Sequence, residues 1–243
     1  MSKLRDDVTG LLAETLVDGS VVAVGGFGLC GNPFGLIEVV QRLGVRDLTV
    51  VSNNMGLDGK GLGLLIDGGQ VARVIASYVG ENTLFAQRYL EGAIEVEFTP
   101  QGTLAERLRA GGAGIAGFYT RTGVGTVVAE GKPHAEFDGD LYVLERGIVA
   151  DVALVRAHTA DPEGNLTYRR TARNFNPLVA AAGRCTFVEA EVFRADFTDP
   201  DLVDTPGIFV DHVVEAPPEP KPIEQRVVRR RSSGEVVRLE RGA

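Results

Sequence analysis

Short apolar runs alternate with amphipathic stretches through the first 115 residues. The runs typical of strands are 20–24, 48–52, 71–77 and 94–99. The spacing of apolar residues between them predicts helices at 8–16, 34–43, 62–66 and 83–90, with another beginning at 104–109. Strands that alternate with helices are typical of parallel βαβ units. We therefore predict an α/β fold with an open, mostly parallel sheet.

The pattern changes in the second half of the chain. Residues 111–139 are rich in glycine and are predicted to be irregular loops around a site. Strand-like runs return at 141–144, 152–158, 166–168 and 186–192. The turn sequence 161–165 predicts an antiparallel hairpin toward the C-terminus. We expect a single domain over 1–215, followed by a Pro-rich and basic tail over 216–243.

The first strand-like run leads into a glycine-rich loop. The loop consists of Gly25, Gly26, Phe27, Gly28, Leu29, Cys30 and Gly31. Glycine allows positive φ and close approach of a ligand to the backbone. Pro33 then favours the start of a helix, whose exposed amides attract anions. Strand, loop and helix start together predict a cradle for a phosphate-bearing cofactor.

Other interpretations of the loop exist. Residues 26–31 formally contain G-x-G-x-x-G, which is typical of dinucleotide-binding folds. Such folds place an acidic residue after the second strand to hold a ribose, whereas here that strand runs into Ser52, Asn53 and Asn54. A tight turn that needs glycine only for packing is a further alternative. Cys30 has no adjacent histidine, which favours a packing role over a nucleophilic one.

Polar side chains follow each of the other strand-like runs. Asn53 and Asn54 follow the second run, Tyr78 the third and Gln101 the fourth. Ligands of open α/β sheets bind outside the carboxyl ends of the strands. We therefore expect these side chains and the glycine loop to line one crevice.

The amino-acid composition argues against several classes of function. The net charge of −8 argues against a general nucleic-acid binder. Two cysteines are too few for a disulfide framework, and the three histidines lack metal-ligand spacing. The sequence shows no signal peptide and no apolar run of membrane-spanning length. We expect a cytoplasmic protein without a metal, a membrane partner or a nucleic-acid partner.

Residues 18–33, DGSVVAVGGFGLCGNP, fit a known signature at every fixed position. The signature is an acidic residue or Asn, Gly or Asn, two free positions, three apolar residues, Gly-Gly-Phe, three free positions, Gly, one free position and Pro. The similarity continues through 51–54, 77–82, 98–107, 109–126 and 172–176. The chain thus resembles the A subunits of the family I coenzyme A-transferases over most of its length, up to about residue 215.

The resemblance implies an activity and a partner. Enzymes of this family form a covalent glutamyl-CoA thioester, and their glutamate lies in a Ser-Glu-Asn-Gly motif of the B subunit. That motif is absent from this chain, so the resemblance implies a B subunit that carries the nucleophile. Glu81 is the alternative within the chain. It lies at a predicted helix start, where Glu commonly interacts with the helix dipole.

The resemblance also implies substrates and site residues. The match is closest to A subunits that move CoA from succinyl-CoA to a 3-oxoacid such as acetoacetate. CoA thioesters would be substrates, and no tightly bound cofactor is expected. The glycine loop would contact CoA, and Asn53, Asn54, Tyr78 and Gln101 would lie beside the acid and the catalytic glutamate. Acetate, butyrate or 3-oxoadipate as the acid remain open, as does a non-catalytic CoA-binding module.

Overall fold

The computed structural model describes residues 2–217, 227–229 and 236–238. Its helices are α1 (Thr9–Thr15), α2 (Phe34–Leu43), α3 (Gly63–Asp67), α4 (Thr83–Leu90), α5 (Gln101–Gly112) and α6 (Asn176–Ala182). The strands of the first half are β1 (Val21–Val24), β2 (Leu48–Val51), β3 (Val71–Ala76), β4 (Glu95–Phe98) and β5 (Gly117–Thr120). The later strands are β6 (His134–Phe137), β7 (Asp140–Arg146), β8 (Ala150–Ala160), β9 (Leu166–Thr167), β10 (Gly183–Phe193), β11 (His212–Glu215), β12 (Val227–Arg229) and β13 (Val236–Arg238).

The main sheet has the strand order β11-β10-β8-β1-β2-β3-β4. All six neighbouring pairs in this order are parallel. Strand β9 pairs antiparallel with the end of β8, across the turn that contains Asp161. The prediction of an open, mostly parallel sheet with an antiparallel hairpin toward the C-terminus is therefore confirmed.

Helices cover both faces of the main sheet. One apolar core contains residues of α1 to α4, among them Leu12, Ile37 and the fully buried Phe85. A second core, on the other face, contains Leu108 of α5 and Val179 of α6. The central strands are apolar on both sides because both faces are covered. This arrangement leaves the strand ends as the place where a site can form.

The region predicted to be irregular contains strands. Within 111–139, β5 and β6 each pair antiparallel with β7 and form a separate three-stranded sheet. The prediction was wrong there because each strand has only four residues, too few to show an alternating pattern among glycines. The seven-residue helix α6 was missed for a similar reason, since it is barely two turns long.

The C-terminal tail is only partly described. Residues 218–226, 230–235 and 239–243 lie outside the described residues, including most of the predicted Pro-rich and basic stretches. Strands β12 and β13 pair antiparallel with each other. The division between 1–215 and 216–243 stays a prediction. Within the described part of the chain, no helix combines the length and the apolar character needed to cross a bilayer.

Candidate functional site

The order in which strands are added to the sheet reverses at β1, and the glycine loop follows this strand. Strands β2 to β4 continue the sheet on one side of β1, whereas β8, β10 and β11 lie on the other. The Gly25 N–H donates to Leu154 O of β8 at 2.9 Å. The Ser52 hydroxyl, after β2, donates to Val24 O at 3.0 Å. The loop thus lies at the topological switch point, where open α/β sheets place ligands.

Gln101 and Asn53 meet at the same edge of the sheet. Asn53 Nδ2 donates to Ser77 Oγ at 3.0 Å and to Gln101 Oε1 at 3.4 Å. Asn53 is 2% exposed, whereas Gln101 is exposed as the first residue of α5. Both hydrogens of the Asn53 amide are used inside the chain. The Asn53 amide thus has no hydrogen left for a substrate, whereas its bond to Gln101 uses only Oε1 of that side chain. The roles of both residues toward a substrate stay predictions.

Asn54 and Tyr78 both lie close to Gly80. A Cβ built on Gly80 would be 3.3 Å from the Tyr78 ring and 4.0 Å from Asn54 Cβ. Tyr78 is 57% exposed, and Asn54 is half-buried. Asn54 Oδ1 accepts from the Gly56 N–H at 3.0 Å, so its amide nitrogen is the group available to donate. Two further hydrogen-bonding groups thus lie at the same edge as Gln101.

A buried arginine fixes the turn that leads into α5. Arg107 donates to Glu97 and, at 3.2 Å, to Thr99 Oγ1, the residues on either side of the end of β4. Its Nε donates to Arg146 O of β7 at 2.9 Å. Burial raises the pKa of Glu97, but the hydrogen bond and charge of Arg107 outweigh it and hold that pKa below its usual value. Arg107 thereby links the middle of α5 to the end of β4 in the main sheet and to β7 in the small sheet.

The glycine loop is a tight hairpin. The Phe27 and Cys30 backbones exchange two hydrogen bonds, each of 3.0 Å. The Gly26 N–H donates to Asn174 Oδ1 at 3.1 Å. Gly26, Gly28 and Gly31 all have positive φ, as expected for glycine in such a turn. The Phe27 side chain is 47% exposed and projects from the loop.

The start of α2 does not offer its amides to a ligand, contrary to the expectation. The Leu36 N–H donates to Glu189 Oε2 at 3.0 Å, and the Gly35 N–H also donates to this carboxylate. Burial raises the pKa of Glu189, against the opposing effect of its ion pair with Arg156. The prediction that the helix start forms part of a phosphate cradle is therefore wrong, whereas contact of the loop itself with CoA stays a prediction. The carboxylate of Glu189 already occupies the helix start, and several loop amides donate within the chain.

The predicted site residues form two groups. Gln101, Asn53, Asn54 and Tyr78 follow β2, β3 and β4, while the glycine loop follows β1 beside them. Glu81 is exposed one residue before Asn82, the N-cap of α4. Across the described ranges, no group of three or more His, Cys, Asp and Glu side chains is arranged to hold a metal ion.

Sequence reasoning missed the side chains that support the glycine loop. Asn174, Asn176 and Glu189 contact the loop or the helix after it from the far half of the chain. Residues 172–176 contribute to the family resemblance, but their partners cannot be identified from the sequence pattern. The residue types alone, two asparagines near a predicted strand, carried no signal of this contact.

A family model described as coenzyme A transferase matches residues 5–216. The chain belongs to the coenzyme A transferase family. A relative from Bacillus subtilis (strain 168) is 57% identical over 221 residues, which are 90% of this chain and 93% of the relative. It is named as the A subunit of a probable succinyl-CoA:3-ketoacid coenzyme A transferase. A Helicobacter pylori (strain J99) relative, named as the A subunit of such an enzyme, is 49% identical and covers 94% of this chain and 99% of its own.

Solved structures share the fold at lower identity. Glutaconate coenzyme A-transferase from Acidaminococcus fermentans has a TM-score of 0.76 at 22% identity, over 89% of this chain and 76% of that chain. A variant of the decarboxylase AibA/AibB has a TM-score of 0.74 at 26% identity, over 89% of this chain and 84% of that one. The same coenzyme A transferase fold therefore occurs in a protein named for a different reaction, so the reaction must be argued from the site.

Proposed function

We propose that this member of the coenzyme A transferase family is the A subunit of a heteromeric enzyme that moves CoA from succinyl-CoA to a 3-oxoacid such as acetoacetate. The relatives named as A subunits of succinyl-CoA:3-ketoacid coenzyme A transferases, 49–57% identical to this chain, support the substrates. The observation that carries the proposal is Gln101, an exposed neutral side chain at the carboxyl edge of the sheet whose Oε1 lies 3.4 Å from Asn53 Nδ2. CoA thioesters enter as substrates, with no resident cofactor, in a cytoplasmic enzyme.

The proposed reaction needs a glutamate from the partner subunit. Its carboxylate attacks the succinyl-CoA carbonyl, the C–S bond breaks, and a mixed anhydride and CoA thiolate form. The thiolate attacks the glutamyl carbonyl, which gives glutamyl-CoA and releases succinate. The 3-oxoacid carboxylate then repeats these steps in reverse and leaves as its CoA thioester. Covalent catalysis of this kind divides one difficult exchange into easier steps.

This chain supplies donors to the oxyanions of those steps. Gln101 Nε2 donates to the negative oxygen that develops when a carbonyl is attacked, because Asn53 holds its Oε1 on the other side. Asn54 and Tyr78 donate to the carboxylate of the acid substrate from the neighbouring strand ends. The glycine loop contacts the CoA thioester through Phe27 and the loop tip.

These donors are uncharged, and this affects the pKa of the partner's glutamate. A nearby carboxylate would raise the pKa of the partner's glutamate and lower the fraction that is ionised. Amide and phenol groups stabilise negative oxygen without that effect. This distinguishes the site from one built for general acid–base chemistry, which would need a side chain that can gain or lose a proton at the position of Gln101.

The proposal is tested with the purified heteromer and an acceptor panel. Succinyl-CoA is offered with acetoacetate, 3-oxoadipate, acetate or butyrate, and kcat/KM is measured for each acid. We expect ping-pong kinetics and the highest kcat/KM with a 3-oxoacid. A clear preference for acetate or butyrate would reassign the acceptor, and CoA binding without transfer to any acid would favour a binding module.

A further inference from the structure

Two asparagines from the far half of the chain hold the glycine loop. Asn174 Oδ1 accepts from the Gly26 N–H at 3.1 Å, and its Nδ2 donates to Cys30 O at 2.9 Å. Asn176 Nδ2 donates to Gly31 O at 3.0 Å. The first and last parts of the loop are thus attached to side chains 148 and 145 positions further along the sequence.

The same side chains are fixed within their own segment. Asn174 Oδ1 also accepts from the Phe175 N–H at 2.7 Å, and Nδ2 donates to Thr171 O at 3.0 Å. Asn174 therefore uses both acceptor and both donor positions of its carboxamide. Asn176 Oδ1 accepts from the backbone N–H of Arg156, a residue of β8, at 2.8 Å. This hydrogen bond fixes the position of the Asn176 side chain relative to β8. Neither a carboxylate nor an apolar side chain can make the same set of hydrogen bonds.

The Asn174 backbone is strained where it makes these contacts. Its φ of 20° and ψ of −119° lie outside the regions that L-residues favour. Such a conformation costs on the order of 1–3 kcal/mol and persists only where the surroundings determine it. Strain of this kind tends to occur at functional sites.

Two glycines of the loop allow the segment 172–176 to approach the loop closely. A Cβ on Gly25 would overlap the Asn176 side chain, and a Cβ on Gly31 would lie 2.7 Å from Ala172 O. The close approach that requires glycine at these two positions is therefore made by the 172–176 segment, not by a ligand. The loop conformation is set within the chain.

We infer that Asn174 and Asn176 are positioning residues that hold the glycine loop in one conformation for CoA transfer. The inference rests on the proposed function, because that function assigns the loop to the thioester. With both asparagines in place, Phe27 at the loop presents a fixed surface beside the reacting carbonyl. A displacement of about 1 Å in such a surface lowers the rate on the order of a hundredfold.

The test replaces Asn174 in the complete heteromer. Asn174→Gly removes five side-chain hydrogen bonds, among them one from Asn176 Nδ2, while glycine tolerates the unusual backbone conformation. The matched control is Gln70→Met, at the amino edge of β3. Gln70 is a buried carboxamide that donates to the backbone of Val40 and Val45, both at 3.0 Å, at the end of the sheet remote from the loop.

Two readouts separate positioning from stability. We expect kcat of Asn174→Gly to fall by about tenfold to a hundredfold, with KM for acetoacetate changed by less than about threefold. We also expect faster hydrogen exchange of the Gly26 amide, whose acceptor is lost. The Gln70→Met control should retain the wild-type kcat and the wild-type exchange at Gly26.

Three other outcomes of these experiments would each contradict a different part of the proposal. Equal kcat in Asn174→Gly and Gln70→Met would overturn the positioning role. If the wild-type heteromer transfers no CoA, the proposed function is wrong. The hydrogen-exchange rate of the Gly26 amide would still show whether Asn174 holds the glycine loop. If Asn174→Gly does not fold, Asn174→Asp keeps the bonds from Gly26 and Phe175 and loses the two donors. Its kcat should be reduced, and wild-type kcat in that variant would overturn the inference.

Discussion

Replacing Gln101 by alanine should remove transition-state stabilisation and leave the fold intact. Gln101 is exposed, and the one side-chain hydrogen bond that it forms with the described residues, from Asn53, is long at 3.4 Å. A surface substitution of this kind changes the free energy of unfolding by less than about 0.5 kcal/mol. The loss of one oxyanion donor, in contrast, lowers kcat by about 10²–10³, equivalent to about 2.7–4 kcal/mol.

A matched variant and a charged variant sharpen this test. Gln87→Ala removes an exposed glutamine from α4, where its partner is Glu91 at 2.8 Å, and should leave kcat unchanged. Gln101→Glu keeps the acceptor for Asn53 but loses the donor and adds a negative charge. We expect its kcat at pH 7 to fall below that of Gln101→Ala, because the added charge repels the substrate and intermediate oxygens.

The assay is steady-state CoA transfer by the heteromer, with urea unfolding of each variant as the stability measurement. A kcat for Gln101→Ala within about threefold of that for Gln87→Ala would refute the oxyanion role. A large loss of stability in Gln101→Ala would refute the claim that this side chain is dispensable for the fold.

Three further substitutions test the interactions around the site. Arg107→Met should lower the free energy of unfolding by about 1–3 kcal/mol at pH 7, because the hydrogen bonds to Glu97, Thr99 Oγ1 and Arg146 O are lost. Glu97 keeps its ion pair with Arg73 at 2.7 Å. The contribution of Glu97, whose pKa is lowered, is full above about pH 4.5 and is lost as the pH falls through that lowered pKa. Burial raises the pKa of the Tyr168 phenol, so native stability should decline as the pH rises above about 10, and Tyr168→Phe should flatten that decline in urea unfolding at pH 8 and 10.5. Glu189→Ala should lower the free energy of unfolding by about 1–3 kcal/mol, since the start of α2 loses its acceptor and Arg156 loses its nearer carboxylate and keeps Glu191 at 3.5 Å. Equal unfolding midpoints of variant and wild type would contradict this.

The fold followed from the sequence where local pattern determines it. Helices α2 and α4 were predicted with the bounds that the structure shows, because a ten-residue and an eight-residue amphipathic pattern are long enough to read. Strands β5 and β6 were missed because their stability comes from pairing with β7 and from packing, which a four-residue segment does not reveal.

The site was predicted only in part, for a related reason. Parallel strands bring their carboxyl ends to one edge, so the meeting of Asn53 and Gln101 could be anticipated from strand order. The burial of Asn53 and the capture of the α2 amides by Glu189 depend on contacts between distant segments. The glycine loop therefore resembled an anion cradle in sequence, although its conformation is set by Asn174 and Asn176.

In the proposed enzyme, this chain contributes hydrogen-bond donors to one CoA-transfer site, and its partner contributes the nucleophile. The direct measurement is transfer from succinyl-CoA to acetoacetate by this chain, by its partner and by the two together, with mass spectrometry of both proteins after incubation with succinyl-CoA. We predict transfer only by the two together, with the CoA adduct on the partner. Transfer by this chain without its partner, or a CoA adduct on one of its own residues such as Glu81, would contradict the account.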